Sequence, residues 1–197
     1  MKKLAVEKNM LLLALGALVV FSIGGIGSTL IPPLVDKSMV TSTPDKPVHE
    51  YTEQEQRGIQ IYKAEGCVYC HTQQIRHMVS DQQRYGWRLV DAAVSESWEY
   101  THDKYHFLGT KRTGPDLARA GGKYSNEWHW AHFKNPRNMG EKFRSSRGPY
   151  ESSSLMPSFK YLTDEEIQDL TAYLQTLGRN KNWRVDPNGR PLNDYEG

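Results

Sequence analysis

The stretch "EGCVYCHTQQIRH", Glu65 to His77, holds both cysteines of the chain, with two residues between them and His71 directly behind the second. No other cysteine exists to pair with either, so a disulfide scaffold is not the purpose of these thiols. A C-x-x-C pair followed by histidine has three ordinary chemistries. It can be a redox-active dithiol, half of a zinc site, or a thioether anchor for a haem whose iron takes the adjacent imidazole. The surroundings of the motif bear on the choice.

The chain has 197 residues, 38% of them hydrophobic, and a net charge of +2. That is enough apolar material for one modest core plus additional segments. The near-neutral balance argues against a nucleic-acid surface, and the short basic runs Lys111-Arg112 and Arg144 to Arg147 read as local surface features.

One segment departs sharply from this polar average. "MLLLALGALVVFSIGGIGSTLI", Met10 to Ile31, carries no charge, and at about 1.5 Å rise per residue it can cross a bilayer of roughly 30 Å. A cleaved signal peptide is the competing reading, but its apolar core is shorter, about 7 to 15 residues, and "STLIPPLV" offers no small-x-small cleavage site. Lys2, Lys3 and Lys8 precede the run, which leaves residues 1–9 cytoplasmic and sends the remainder across the membrane. Gly24 and Ser28, beside Gly25 and Gly27, offer a weak signal for a close helical neighbour. Pro32 and Pro33 are expected to stop the helix, leaving 32–50 as a polar tether.

The folded domain is expected over 51–178, with 179–197 as a tail in which Trp183 and Tyr195 are candidate interface anchors or part of a loosely ordered end. Thr52 with Glu55 forms a capping-box signature for a helix that runs directly into Cys67, with Ile59 and Tyr62 on one face. Thr163 with Glu166 repeats that signature before a second helix, whose apolar stripe is Ile167, Leu170, Leu174 and Leu177 and whose terminator is Gly178. This helix is expected to pack across the first.

Against that background, a dithiol catalyst lacks the strand-helix alternation that usually displays its motif. A zinc site lacks a compact second Cys/His pair, since His77, His102, His106, His129 and His132 are scattered. Haem c uses every residue of the motif: Cys67 and Cys70 bind the vinyl groups and His71 the iron. A sixth ligand is sought in Met156, which precedes Pro157 and the closing helix. A thioether favours ferrous iron and raises the potential, as suits an electron carrier. For a lone methionine the bland alternative is core filling. Met78 and Met139 lack a ligand-loop context.

The order of these pieces resembles the class I cytochrome c family: helix, C-x-x-C-H, a T-G-P-x-L loop in "RTGPDLARAGG", the aromatic helix "WHWAHFKNPR", an M-P ligand loop, and a closing helix. The resemblance implies a mainly α fold, a class I cytochrome c domain tethered to one N-terminal transmembrane helix. It also implies that the Pro115 carbonyl accepts the Nδ1 proton of His71. Tyr62, Trp128, Trp130 and Phe159 are expected to pack around the macrocycle or the core.

More closely, the anchor, "GCVYCHTQQIR", "RYG", "LGTKRTGPDLARAGGKYSNEWHWAHFKNPR" and "LMPSF" together resemble the single-haem membrane cytochrome subunit, subunit II, of cbb3-type oxygen reductases. That likeness implies one covalently attached haem c, with Cys67 and Cys70 as attachment points and His71 and Met156 as axial iron ligands. It implies a single-pass protein of the inner membrane with its haem domain on the periplasmic or outer side. Partners implied are a haem-copper catalytic subunit, a di-haem cytochrome subunit or soluble cytochrome donor, and the lipid bilayer. The chain alone would carry electrons, while the complex would reduce oxygen to water with proton translocation. Arg76, Arg112 and Tyr124 match family positions without an assigned role, as propionate or interface residues or as packing. His77 stands where many relatives carry proline, and the insert from Met78 to Thr110 is only loosely similar. The alternatives are a nitric oxide reductase cytochrome subunit and, from another class, a haem-based gas sensor or peroxidase.

Overall fold

The structure, a computed structural model, describes residues 8–44, 46, 48–86, 94–139 and 154–178. Trp183, Tyr195 and the Arg144 to Arg147 run lie outside the described residues. The chain is mainly helical, and among the described residues there are no strands, only isolated bridges such as His71 with Arg112.

Helix α1 (Met10–Thr29) is capped by Asn9, whose Oδ1 accepts from the backbone N–H of Leu11 at 3.1 Å and Leu12 at 3.2 Å. It buries no residue, which fits a helix whose apolar surface meets something other than this chain. Ser28 and Thr29 donate back to the carbonyls of Gly24 and Gly25 at 2.8 and 2.5 Å, so no hydroxyl along α1's end is left unpaired. Pro32 and Pro33 do not end the helical run. They sit in the first turn of α2 (Ile31–Val35), where the N–H that proline lacks has no intrahelical partner anyway. The run from Met10 to Val35 is long and apolar enough to cross a membrane.

The segment that follows is docked. Asp36 caps a 3₁₀ turn, Lys37–Met39. Ser38 of that turn is buried, and its carbonyl accepts from Thr101 Oγ1 at 2.7 Å.

The core is built on α3 (Glu53–Ala64) crossed by α6 (Asp164–Leu174). Both helices start with the capping boxes expected at Thr52/Glu55 and Thr163/Glu166. Tyr62 on α3 meets Ile167, Leu170, Tyr173 and Leu174 on α6, each at most 4% exposed. Full burial of each such side chain contributes about 1.5–3 kcal/mol. The helices touch at Gly58, where a Cβ would lie 2.1 Å from the Asp169 carbonyl oxygen and 2.7 Å from Tyr173 Cβ. At the rim of the contact, Arg57 grips Asp169 with two hydrogen bonds, 2.6 and 3.1 Å. Beyond α6 the chain ends its turn at Gly178, whose φ is 89°.

Two further helices complete the frame. Helix α4 (Val79–Tyr85) lies in the insert, and α5 (Asn126–Lys134) is capped by Ser125 and contacts α6. The insert is sewn to the rest of the domain: Ser95 N–H donates to the Ile75 carbonyl at 2.9 Å, and Glu99 takes a buried two-point grip from Arg119 at 2.8 and 3.1 Å.

Gly58→Ala should destabilise the domain by about 3 kcal/mol, because the added methyl meets backbone that cannot rotate away. The urea midpoint reports it, and a loss under about 1 kcal/mol would mean the two helices separate here at little cost.

Candidate cofactor site

Helix α3 delivers the cysteines. Its C-terminus closes through Glu65 N–H to Ile61 O, and Gly66 then takes φ 69°, a left-handed step that a side chain resists. The chain enters a 3₁₀ turn, Cys67–Tyr69, and His71 N–H returns to the Cys67 carbonyl at 2.8 Å. Both thiols and the imidazole therefore leave one compact turn. The cysteines are free and half-buried. Burial pushes the Cys67 thiol up to about 12, the reverse of what a reactive dithiol needs.

The imidazole of His71 is fixed from behind. Its Nδ1 lies 2.8 Å from the Pro115 carbonyl, so Nδ1 carries the proton and donates. Gly114 rests on the ring: a Cβ there would fall 2.0 Å from Cε1 and 2.5 Å from Nε2. Gly114 N–H donates to the Cys70 carbonyl at 3.0 Å, Leu117 N–H to that of Thr72 at 3.0 Å, and Tyr62 Oη to that of His71. Burial holds the imidazole pKa below its ordinary value, which keeps it neutral, and among the described residues its Nε2 makes no hydrogen bond. A neutral ring with a bound Nδ1 proton and a free Nε2 lone pair is a metal ligand in waiting.

The loop from Gly109 to Arg119 is held against this turn by buried charge. Arg112, 13% exposed in its side chain, contacts Asp116 at 3.2 Å and Asp81 at 3.1 Å, and donates to Thr72 Oγ1 and to the Gln74 carbonyl at 2.7 Å. Arg76 forks onto Asp81 with two bonds of 2.9 Å. Asp116 accepts from the N–H groups of Gln74 and Ala118 at 2.9 and 2.8 Å. Both arginines singled out in the sequence are thus committed to carboxylates of the protein. The hydrogen bond from Arg76, ahead of the Arg112 charge, holds Asp81 well below the usual carboxylate range.

On another wall stands an aromatic stack that sequence reasoning left undifferentiated. Tyr124 stacks on Trp128 at 3.8 Å and Trp128 on His132 at 4.4 Å. His132 Nδ1 and His129 Nε2 are buried without a hydrogen-bond partner. Burial lowers both imidazoles to about 4, His132 being further depressed by His71 and His129 by His132. Their i, i+3 spacing on a helix was the available signal. Trp130, expected in the core or against a macrocycle, is 45% exposed and donates Nε1 to Asp164 at 3.1 Å.

Met156 is half-buried and packs against the same apolar cluster as Cys67 and Leu117. Phe159 N–H donates to the Phe133 carbonyl at 2.8 Å, tying the loop behind Met156 to α5. Met139 is buried at 7% and Met78 is 49% exposed. Among the described residues no group of three or more His, Cys, Asp or Glu side chains could hold a metal ion, so a zinc site finds no ligand set. The donors that remain suit a haem: two thiols in one turn, an oriented neutral imidazole, a glycine leaving room against the ring, and a thioether on the same cluster.

A family model described as "Cytochrome C oxidase, mono-heme subunit/FixO" matches residues 3–171 of the chain. No curated protein matches it.

Two changes test the site. Gly114→Ala should break the His71–Pro115 bond, seen as loss of the slowly exchanging Nδ1 proton resonance. Asp81→Asn should cost about 3 kcal/mol by leaving two guanidinium groups without their anion. Because its folded pKa is depressed, Asp81 contributes fully above the unfolded value near 4 and loses that contribution as pH falls. The variant's acid limb of stability against pH should therefore be flatter.

Proposed function

This chain belongs to the mono-haem subunit family of cytochrome c oxidase, and from that premise we propose that it relays electrons through one haem c to the haem-copper catalytic subunit of a cbb3-type oxygen reductase. The donor is a di-haem cytochrome subunit or a soluble cytochrome. The observation that carries the reading is the His71 clamp: a neutral imidazole with Nδ1 bound to Pro115 and its ring against Gly114, directly after both cysteines.

In this reading Cys67 and Cys70 form the thioether links, and His71 Nε2 and Met156 Sδ are the axial ligands. The haem supplies one-electron chemistry at iron, and every other contribution is the protein's. Pro115 holds the tautomer of His71. Gly114 and the Arg112–Asp116 contact keep the loop at that distance. The core cluster around Tyr62 and Leu170 excludes water and so favours the less charged, reduced state. No bond to substrate is made by this chain. Helix α1 anchors the domain in the inner membrane with the N-terminus cytoplasmic and the domain outside.

His71→Ala should abolish the low-spin spectrum or haem maturation, and Met156→Ala should remove the weak far-red sulfur-to-iron band of the oxidised protein. Purification of the chain from its native membranes in mild detergent should bring a haem-copper subunit and oxygen uptake. Nitric oxide turnover in place of oxygen uptake would move the chain to a different reductase, and retained spectra in either variant would remove that residue from the ligand set.

A further inference from the structure

One hydrogen bond separates two cavities on the side of the domain formed by α3 and the segment after the insert. Tyr51 Oη donates to Asp103 Oδ1 at 2.7 Å. This pair lines an open cleft of about 250 Å³ and also a smaller cavity of about 30 Å³ behind it. Gln73, Tyr100 and Arg119 wall the inner space. Gln73 is 2% exposed, and its Nε2 has no hydrogen-bond partner. Its Oε1 is occupied by Tyr173 Oη at 3.0 Å and its carbonyl by Tyr100 Oη at 2.8 Å.

A buried amide donor left unpaired is costly, and a polar cavity of this size has room for one or two waters, where an apolar one would stay dry. Gln73 lies on the segment that leaves His71, and Tyr62, which shares the cluster of Tyr173, donates to the His71 carbonyl. We infer that the inner cavity is a water site joined through Asp103 to the solvent of the cleft, and that proton exchange at Asp103 adjusts the charge felt at the haem held by His71. The coupling rests on the ligand reading given above; the water site does not.

The groups facing Asp103 are Tyr51 by hydrogen bond, Tyr173 from α6, Glu55 from α3, His102, Lys104 and His106 from its own segment, Glu50 across the cleft, and the Glu99–Arg119 pair across the inner cavity. Burial raises the Asp103 carboxyl to about 6, against the lowering effect of the Tyr51 bond. Below that pH the group is neutral, and above it a negative charge favours the more positive, oxidised state. Near this pH each electron arriving from the reduced donor is accompanied by up to one proton from the cleft water, which forms an O–H bond on the Asp103 carboxylate. No other bond changes.

The test uses the full-length haem-loaded chain in detergent, with optical redox titrations from pH 5 to 8 and a crystal structure fine enough to place waters. An ordered water within hydrogen-bond distance of Gln73 Nε2 is expected. The wild-type midpoint potential should fall as pH rises through about 6, and Asp103→Asn should be flat over that range. Tyr51→Phe, which keeps the carboxyl but removes the bond that lowers its pKa, should move the inflection upward. A dry cavity, a flat wild-type titration, or an unchanged slope in Asp103→Asn overturns the inference. A wild-type chain without a low-spin haem spectrum overturns the ligand reading first and the coupling with it, whatever the cavity holds.

Discussion

The domain depends on the contact of α3 and α6 at Gly58. A carbonyl oxygen of one helix occupies the place where a β-carbon of the other would be, and backbone-to-backbone approach of this kind leaves no slack for either helix to slide. The two ends that matter are set by it. α3 runs into the turn that bears Cys67, Cys70 and His71, and α6 begins at the cap that follows the Met156 loop. One steric constraint thus fixes both margins of the cofactor site, and the large apolar side chains around Tyr62 and Tyr173 fill the angle between the helices.

A second layer of order is electrostatic. Arg112, Asp116, Asp81 and Arg76 form a chain of ion pairs, mostly buried, between the ligand turn, its facing loop and α4. Such pairs contribute little net stability relative to a well-packed apolar core. What they do here is directional: each guanidinium donates to backbone carbonyls as well as carboxylates, and that determines which segments may lie side by side. The insert is tied in the same way by Glu99 and Arg119.

Much of this was legible in the sequence because it obeys local rules. The capping boxes at Thr52 and Thr163, the apolar stripe of α6 and the Gly178 stop follow from spacing alone, and the Pro115 carbonyl followed from the resemblance carried by the T-G-P loop. The misreadings have physical reasons. Proline was taken as a terminator at 32 and 33, although in a first helical turn its missing N–H costs nothing. Trp130 was grouped with the core aromatics, but its position on α5 turns it outward to Asp164. The Asp81 hub was invisible because its partners lie far along the chain, and no local pattern announces a carboxylate that will serve two arginines.

The strap after the membrane helix sets a limit on motion. A single residue, Asp36, stands between the end of α2 and the 3₁₀ turn that Thr101 holds by the Ser38 carbonyl, and one residue spans at most about 3.6 Å. A domain held so closely does not sweep a hemisphere in search of its reaction partner. Its encounter geometry is inherited from the placement of the helix, so viscosity of the surrounding fluid should matter less to its electron exchange than the tilt of a single membrane span.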